Sequence, residues 1–204
     1  MSLFKKSVAF IVLLLILDQA LKIWIKTNMM LGESYHIFGD WFQIYFIENN
    51  GMAFGMELEG EWGKMLLSLF RIIAVCGIGW YLLDICKKKA PMGLIIAISL
   101  IFAGAMGNII DSAFYGLIFN DSYYQVAQFL PEGGGYSSFL HGKVVDMLYF
   151  PLVEGNFPDW FPIWKGEHFV FFRPVFNIAD SYITIGVAFI LLFQRNYFVK
   201  EENN

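Results

Sequence analysis

Charged residues are scarce in this 204-residue chain, where Asp, Glu, Lys and Arg together make up only 16%. Soluble domains usually carry about 25% charged residues. Hydrophobic residues reach 57%, and they are gathered in blocks rather than spread evenly. This composition excludes an ordinary soluble domain and indicates an integral membrane protein.

The chain also lacks the excess of positive charge that nucleic-acid binding requires. Its formal net charge is −4. Its basic residues do not line a helical face, as a phosphate-binding surface would need. We therefore expect no nucleic acid as a partner.

Cysteine and histidine are too few and too scattered to build a metal site or a disulfide framework. The histidines are His36, His141 and His168, and none has metal-ligand spacing to a cysteine or to another histidine. Cys76 and Cys86 are separated by about 15 Å of helical rise, which is too far for a disulfide. We expect two buried thiols, no metal and no cofactor.

Four segments are long and apolar enough to cross a bilayer, which takes about 20 helical residues. They cover residues 7–25, 65–85, 92–110 and 176–193. The first resembles a secretory signal peptide, but it contains Asp18 and Lys22 and no small-residue cleavage site follows it, so we expect it to be retained. We predict a membrane α-helical fold, a four-transmembrane-helix bundle that forms one domain over residues 1–204.

The basic residues predict the orientation of this bundle. Lysines precede the first span and separate the second from the third, and basic residues also follow the fourth. They are Lys5, Lys6, Lys87, Lys88, Lys89, Arg195 and Lys200. Under the positive-inside rule these clusters face the cytoplasm. Both termini are then cytoplasmic, and residues 26–64 and 111–175 lie outside.

The two outer segments are more than linkers. Residues 35–47 are rich in β-branched and aromatic residues around Gly39-Asp40, a pair that can form a two-residue turn, and they predict a short β-hairpin. Residues 112–175 are rich in Phe, Tyr and Trp and are interrupted by Gly133-Gly134-Gly135 and by prolines. Many aromatic residues outside a core are typical of a layer at the membrane interface.

Four aspartates in or beside the spans need a reason, because a charged side chain within a span costs roughly 2.5–3.5 kcal/mol. They are Asp18, Asp111, Asp146 and Asp180. On the predicted topology all four approach the outer face of the membrane, where we expect them to meet. Arg71, inside the second span, is expected to pair with a carboxylate or to reach the interface.

Amides and a lysine accompany these aspartates at helical spacing. Asp18 and Lys22 are four residues apart and can pair, and Asn-x-x-Asp occurs twice, ending at Asp111 and at Asp180. Each pattern alone is more often structural, as an ion pair, a helix cap or a contact between helices. Their coincidence at one depth favours chemistry, either hydrolysis by an aspartate pair or proton and ion traffic in a small transporter or assembly factor.

Five motifs, in this order, make the chain similar to the lipoprotein signal peptidase (signal peptidase II) family. They are Asp18-Gln19-x-x-Lys22, Asn49-x-Gly51-x-Ala53-Phe54, Gly104-x-x-Gly107-Asn108-x-x-Asp111, Val144-Val145-Asp146 and Phe176-Asn177-x-Ala179-Asp180. The resemblance implies a four-helix bundle in the bacterial inner (cytoplasmic) membrane, with a small β-cradle outside it. It also implies an aspartic endopeptidase, sensitive to globomycin, that cleaves diacylglyceryl-modified prolipoproteins before the lipidated cysteine.

The resemblance assigns the catalytic pair to Asp146 and Asp180. Asp111 is the main rival for a place in the pair, since the sequence alone does not rank the aspartates. The implied partners are the lipidated prolipoprotein and membrane lipid, with the enzyme as a monomer. The implied supporting and substrate-binding residues are Asp18, Lys22, Asn49, Gly51, Asn108, Asp111 and Asn177.

Two features depart from the family pattern. The family usually has Arg directly after the Asp of the third motif, where this chain has Ser112. We hypothesise that Arg173 or Lys143 supplies the missing charge. The stretches from Asp111 to Asp146 and on to Asp180 are also longer than usual, and the added residues are expected to form a lid or an interfacial layer.

Other intramembrane proteases fit the sequence less well. A serine protease would need a Gly-x-Ser-x-Gly-like nucleophile and a histidine within a span, and the predicted spans contain no histidine. A zinc protease would carry His-Glu-x-x-His and a presenilin-like protease Gly-x-Gly-Asp, and neither motif occurs.

Overall fold

Long apolar helices and short antiparallel strands make up the computed structural model, which describes residues 2–50, 61–171 and 173–198. The helices are α1 (Leu3–Asn28), α2 (Glu61–Lys87), α3 (Met92–Ile110), α4 (Gly116–Ile118) and α5 (Ile178–Phe198), with a π-helical turn, Asp111–Tyr115, joining α3 to α4. The strands are β1 (Ser34–Phe38), β2 (Phe42–Asn49), β3 (Val144–Tyr149), β4 (Val153–Asn156), β5 (His168–Phe171) and β6 (Val175–Phe176).

Several of these helices have the length and composition of membrane spans. Within the described ranges, Leu3–Asn28, Met65–Lys87 and Met92–Ile118 qualify, while α5 has a shorter apolar stretch, Ile178–Phe193. Large apolar side chains on their outer faces, such as Phe70 and Trp80, are 69% and 71% exposed. Because lipid solvates such surfaces and water does not, the chain is a membrane protein.

The helix α3 lies at the centre of the bundle and packs against α1, α2 and α5. Two glycines allow the closest approaches. A Cβ atom at Gly104 would lie 2.2 Å from the carbonyl oxygen of Ala179, and one at Gly107 would lie 2.7 Å from Oδ2 of Asp18. The start of α5 and the polar middle of α1 are therefore both held directly against α3.

Two apolar clusters stabilise opposite ends of the molecule. The first joins the beginnings of α1 and α3 to the end of α2, and the second packs the end of α1 against the π-helical turn and the sheet. The first contains Ile11, Leu14, Leu82, Ile95 and Ile98, and the second contains Ile25, Phe46, Tyr115, Phe119, Val145 and Met147. The polar residues lie between these clusters, so they are held from both sides.

A four-stranded antiparallel sheet of order β1-β2-β3-β6 packs on the end of α1. The predicted β-hairpin is confirmed as β1 and β2, but Phe38 pairs with Phe42, so its loop has three residues, 39–41, rather than two. Gly39 makes the turn at φ 52°. In the pairing of β2 with β3, Ile47 lies opposite Asp146, so β2 runs directly beside this aspartate.

The long stretch between β3 and β6 carries a separate two-stranded sheet, β4 and β5. The register pairs Val153 with Phe171 and Glu154 with Val170, so one face is apolar while the other carries the ion pair of Glu154 with His168, at 3.0 Å. At its tip, the ring of Phe157 contacts three other aromatic rings: Phe161, Trp164 and Phe169.

Both cysteines are free thiols. Cys86 is buried as predicted, with its Sγ 3.7 Å from the hydroxyl of Ser7. The expectation of a buried thiol is wrong for Cys76, which is exposed because it lies on the outward face of α2.

Candidate functional site

The four aspartates meet where α1, α3, α5 and β3 come together. Asp18 is 1% exposed, Asp111 is fully buried and Asp146 is 2% exposed, whereas Asp180 is half-buried. Among the side-chain nitrogen and oxygen atoms buried in the described residues, every one has a hydrogen-bond partner. The site is therefore a connected polar network inside an apolar bundle, and its members fix one another's positions.

Lys22 pairs with two of the four aspartates. Its ammonium lies 3.0 Å from Oδ2 of Asp18 and 2.8 Å from Oδ2 of Asp111. It also donates to Oδ1 of Asn108 at 3.0 Å. Because Lys22 is itself fully buried, these three acceptors use all of its N–H donors.

Asp111 is engaged at both oxygens. Oδ1 accepts from Nε2 of Gln19 at 2.9 Å, and Oδ2 accepts from the backbone N–H of Val145 at 3.3 Å in addition to Lys22. The bond to Val145 ties the π-helical turn to β3, one residue before Asp146. Short π-helical segments are frequent at functional sites. The contacts of Asp111 are those of a structural anchor.

Gln19 is a member of the network to which sequence reasoning assigned no role. Its amide donates to Asp18 at 3.1 Å and to Asp111, and its carbonyl oxygen accepts from the hydroxyl of Tyr115 at 3.1 Å. The available signal was its place in the first motif, directly after Asp18. Its contacts across the bundle are set by tertiary packing, which the helical spacing does not reveal.

Asp146 accepts two amide hydrogen bonds. Nδ2 of Asn177 donates to Oδ1 at 2.7 Å, and Nδ2 of Asn49 donates to Oδ2. Burial raises the pKa of the Asp146 carboxyl to about 7, and the negative charge of Asp180 acts in the same direction. The two amides and Lys22 oppose this increase without cancelling it.

Asp180 lies in the first turn of α5 and takes part in its N-terminal cap. Its backbone N–H donates to Oδ1 of Asn177 at 2.9 Å, and its own Oδ1 accepts from Nδ2 of Asn108 at 2.8 Å. The partial positive charge at a helix N-terminus favours an anion there. Asp180 thus lies beside a helix N-terminus and is less buried than Asp146.

Asn177 connects the two carboxyl groups. Its Nδ2 donates to Asp146, as described above, and also to Oδ1 of Asn108 at 3.1 Å, while Asn108 donates to Asp180. The structure therefore brings the residues assigned from the sequence into a single network. They are Asp18, Lys22, Asn49, Asn108, Asp111, Asn177, Asp146 and Asp180. Gly51, with Ala53 and Phe54, lies outside the described residues.

Arg71 approaches this network from α2. It is half-buried, and its charge interacts with the carboxylates of Asp180, Asp111 and Asp146, most strongly with Asp180. Of the two roles considered from the sequence, the structure supports the partner of carboxylates.

A metal ion does not fit the network in the part of the chain that the structure describes. No group of three or more His, Cys, Asp or Glu side chains is arranged there to hold one. The space between Asp18 and Asp111 is taken by the ammonium of Lys22.

The chain is similar to known proteins over most of its length. The family model described as Signal peptidase (SPase) II matches residues 10–195. A lipoprotein signal peptidase of Porphyromonas gingivalis is 55% identical over 190 residues, which cover 92% of this chain and 82% of that protein. The lipoprotein signal peptidase of Amoebophilus asiaticus is 39% identical over 186 residues, covering 90% of this chain and 75% of that one.

A solved structure has the same fold. It is a bacterial membrane enzyme determined by the in meso method at 2.3 Å resolution, with a TM-score of 0.60 and 28% sequence identity. The match covers 98% of this chain and 94% of the other. Both the sequence and the fold show that the chain belongs to the signal peptidase II family of proteases.

Proposed function

We propose that this protease removes signal peptides from prolipoproteins by aspartic catalysis, with Asp146 and Asp180 as the catalytic pair. The observation that carries the proposal is the contrast between two carboxyl groups linked through Asn177 and Asn108. Two neighbouring carboxyl groups in unlike environments divide the work, because one keeps a proton that the other has lost.

The environments assign the two roles. Asp146 is the general acid, since burial and the charge of Asp180 raise its pKa to about 7 and keep it protonated at lower pH. Asp180 is the general base, since the α5 N-terminus and the amide of Asn108 stabilise its ionised form.

The reaction then needs only water and the peptide bond. Asp180 takes a proton from water as the water oxygen attacks the scissile carbonyl carbon, and Asp146 gives its proton to the carbonyl oxygen. Collapse of the tetrahedral intermediate breaks the C–N bond, and the departing nitrogen receives the proton that Asp180 holds. The hydroxyl proton of the intermediate returns to Asp146, so both carboxyl groups are restored.

The substrate follows from the family and from the place of the site. It is a prolipoprotein with a diacylglyceryl-modified cysteine, cut on the N-terminal side of that cysteine. A site at the end of a helix bundle suits such a substrate, because the signal helix and the acyl chains stay in lipid while the scissile bond meets the carboxyl groups.

The proposed topology has α5 as the fourth span and both termini in the cytoplasm. Lys87, Lys88 and Lys89 lie at the end of the bundle opposite the sheet. Under the positive-inside rule that end is cytoplasmic. The sheet and the aspartates then lie at the outer face of the bacterial inner membrane, and the whole chain is one integral membrane domain.

The added residues between β3 and β6 form an interfacial layer in this proposal. The β4–β5 hairpin has one apolar face, and at its tip Trp160 is 77% exposed and Ile163 is 72% exposed. Aromatic and apolar side chains on one face, with charged ones on the other, are the composition of an element that lies in the headgroup region.

The test is cleavage of a synthetic diacylglyceryl lipopeptide by the purified, detergent-solubilised enzyme. Asp146→Asn and Asp180→Asn are each expected to lower kcat by at least about 100-fold, the typical size of a general acid or base contribution. Asp84→Asn is the matched control, because Asp84 pairs with Lys88 at 2.8 Å, away from the network. Near-normal cleavage by either dyad variant would refute the assignment, and globomycin should inhibit the wild-type enzyme.

A further inference from the structure

The network has more carboxyl groups than the cations of the family pattern can balance here. Where the family usually has arginine, Ser112 is 3% exposed and its hydroxyl donates to the carbonyl oxygen of Asn108 at 3.1 Å. Ser112 is therefore a neutral residue bonded within its own helix. The position contributes no charge to the site.

The charges of the site show what is missing. With one proton between Asp146 and Asp180, the four carboxyl groups carry three negative charges, and Lys22 returns one positive charge. Two negative charges would then remain in a largely buried network. Buried charge without compensation is costly and raises the pKa of neighbouring carboxyl groups.

Of the two cations considered from the sequence, Lys143 pairs with a different carboxylate and Arg173 is exposed to solvent. The ammonium of Lys143 is 3.6 Å from Oε2 of Glu48 and lies over the rings of Tyr123 and Tyr136. Arg173 is exposed in the turn before β6. Within the described residues, neither side chain forms an ion pair with any of the four aspartates.

Arg71 on α2 can supply the missing positive charge, although α2 contains none of the five family motifs. It lies three residues after Ser68 and four before Val75, which are 5% and 4% exposed, so all three share the inward face of α2. Ser68 fixes that face by donating to the carbonyl oxygen of Leu140 at 3.2 Å. The charge of Arg71 interacts with Asp180, Asp111 and Asp146.

We propose that Arg71 is a positioning residue that replaces the family's usual arginine, supplying from α2 the positive charge that Ser112 does not. It keeps the pair in the singly protonated form, with Asp180 ionised. The proposal rests on the assignment of Asp146 and Asp180 as the catalytic pair. The other charged groups that face the pair among the described residues are Asp18 and Lys22 on α1 and Asp111 after α3.

The proposal fixes the sign of a pH effect. Removing a cation raises the pKa of a nearby carboxyl group, by about one unit or more for a close partner. In Arg71→Met both limbs of the pH–kcat profile should therefore move to higher pH by about 1 unit, so kcat should fall on the acidic side of the profile, by up to about tenfold where that limb is steepest. A role in packing alone would lower kcat equally at every pH.

Three variants and two controls separate charge from packing. Arg71→Gln removes the charge and retains hydrogen-bonding atoms, so it should shift the profile as Arg71→Met does, while Arg71→Lys should stay close to wild type. Adding Ser112→Arg to Arg71→Gln should move the profile back. Arg173→Met and Lys143→Met are matched controls that should leave the profile in place.

The outcomes are distinct. An unshifted profile in folded Arg71→Gln, or a shift in Arg173→Met or Lys143→Met instead, overturns the proposal. Failure of Ser112→Arg to restore the profile also overturns it. Cleavage by Asp146→Asn or Asp180→Asn would overturn the catalytic assignment itself. If those variants are inactive and Arg71→Gln keeps the wild-type profile, only the role of Arg71 is wrong.

Discussion

Asn177 and Asp180 hydrogen-bond to each other in both directions. The backbone N–H of Asp180 donates to Oδ1 of Asn177 at 2.9 Å, and the backbone N–H of Asn177 donates to Oδ2 of Asp180 at 3.4 Å. This reciprocal pair is a capping box that starts α5. The side-chain amide nitrogen of Asn177 donates to Oδ1 of Asp146 at 2.7 Å. One residue thus caps the helix and orients both proposed catalytic groups.

This dual role makes Asn177 separable by substitution. Asn177→Ser keeps an oxygen that can cap α5 but loses the amide donor to Asp146, whereas Asn177→Ala loses both. We expect Asn177→Ala to be less stable than Asn177→Ser by about 1 kcal/mol, the usual value of an N-cap, and both variants to lose most activity. Thermal unfolding in detergent and lipopeptide cleavage give the two readouts. Equal stability of the two variants would argue against the cap.

The pH dependence of cleavage follows from Asp146. As the general acid it must be protonated, and its pKa is raised to about 7, so the active form is lost as pH rises through about 7. We expect kcat/KM for the lipopeptide to decline above neutral pH. If kcat/KM kept increasing up to about pH 9, Asp146 would not be the general acid.

The contact of α3 with α5 predicts a severe glycine substitution. Gly104→Ala would place a Cβ atom 2.2 Å from the carbonyl oxygen of Ala179, so the two helices must separate and carry Asp180 away from Asn108. Overpacking of this kind costs about 1–3 kcal/mol. Gly77→Ala is the control, because nothing lies within 4 Å of its Cβ position. Gly104→Ala should lower the Tm measured by thermal unfolding, and Gly77→Ala should leave it unchanged.

A second buried ion pair lies beside the site. Lys26 is fully buried, its ammonium contacts Glu48, and it donates to the hydroxyl of Ser122 at 2.8 Å. Lys26→Met should cost about 3–5 kcal/mol, because it leaves the buried Glu48 with the more distant Lys143 as its cationic partner among the described residues. Adding Glu48→Gln should recover part of this loss. Equal stability of the single and double variants would show that Lys143 alone suffices.

The proposed interfacial layer predicts unequal lipid contact on the two sides of the β4–β5 hairpin. With Cys76 replaced, a bimane label at Ile163→Cys should be quenched by spin-labelled lipid in nanodiscs, and one at Asn156→Cys by aqueous iodide. Ile163 is 72% exposed, and Asn156 lies on the polar face, opposite His168. Quenching by aqueous iodide at both positions would show that the hairpin does not lie in the membrane interface.

The local sequence predicts the helices and the β-hairpin because both have a strong periodic signal. Residues 92–110 form a helix as predicted, and α5 begins at Ile178 rather than at residue 176, since Asn177 serves as its cap. The partnership of β2 with β3 escapes such reasoning. It joins Asn49 to Val144, and no local pattern encodes pairing over that separation.

The candidate site residues follow from the motifs, but the motifs do not show which of them has which role. The sequence leaves Asp111 as a rival to Asp146 because both lie at the outer end of apolar segments. The two aspartates differ in their partners, because Asp111 pairs with the buried ammonium of Lys22. Tertiary packing alone determines this contact. Arg71 illustrates the same limit, because its helix carries no motif and its partners come from three other elements.

The bond from Ala179 N–H to Oδ1 of Asp18, at 3.1 Å, joins the first helix of the chain to its last. During synthesis, Lys22 and its acidic partners can assemble before the final helix emerges, but Asp180 arrives only with that helix. On the proposed assignment of Asp180 as a catalytic group, the newly made chain therefore cannot cleave a prolipoprotein before α5 has packed against α1 and α3.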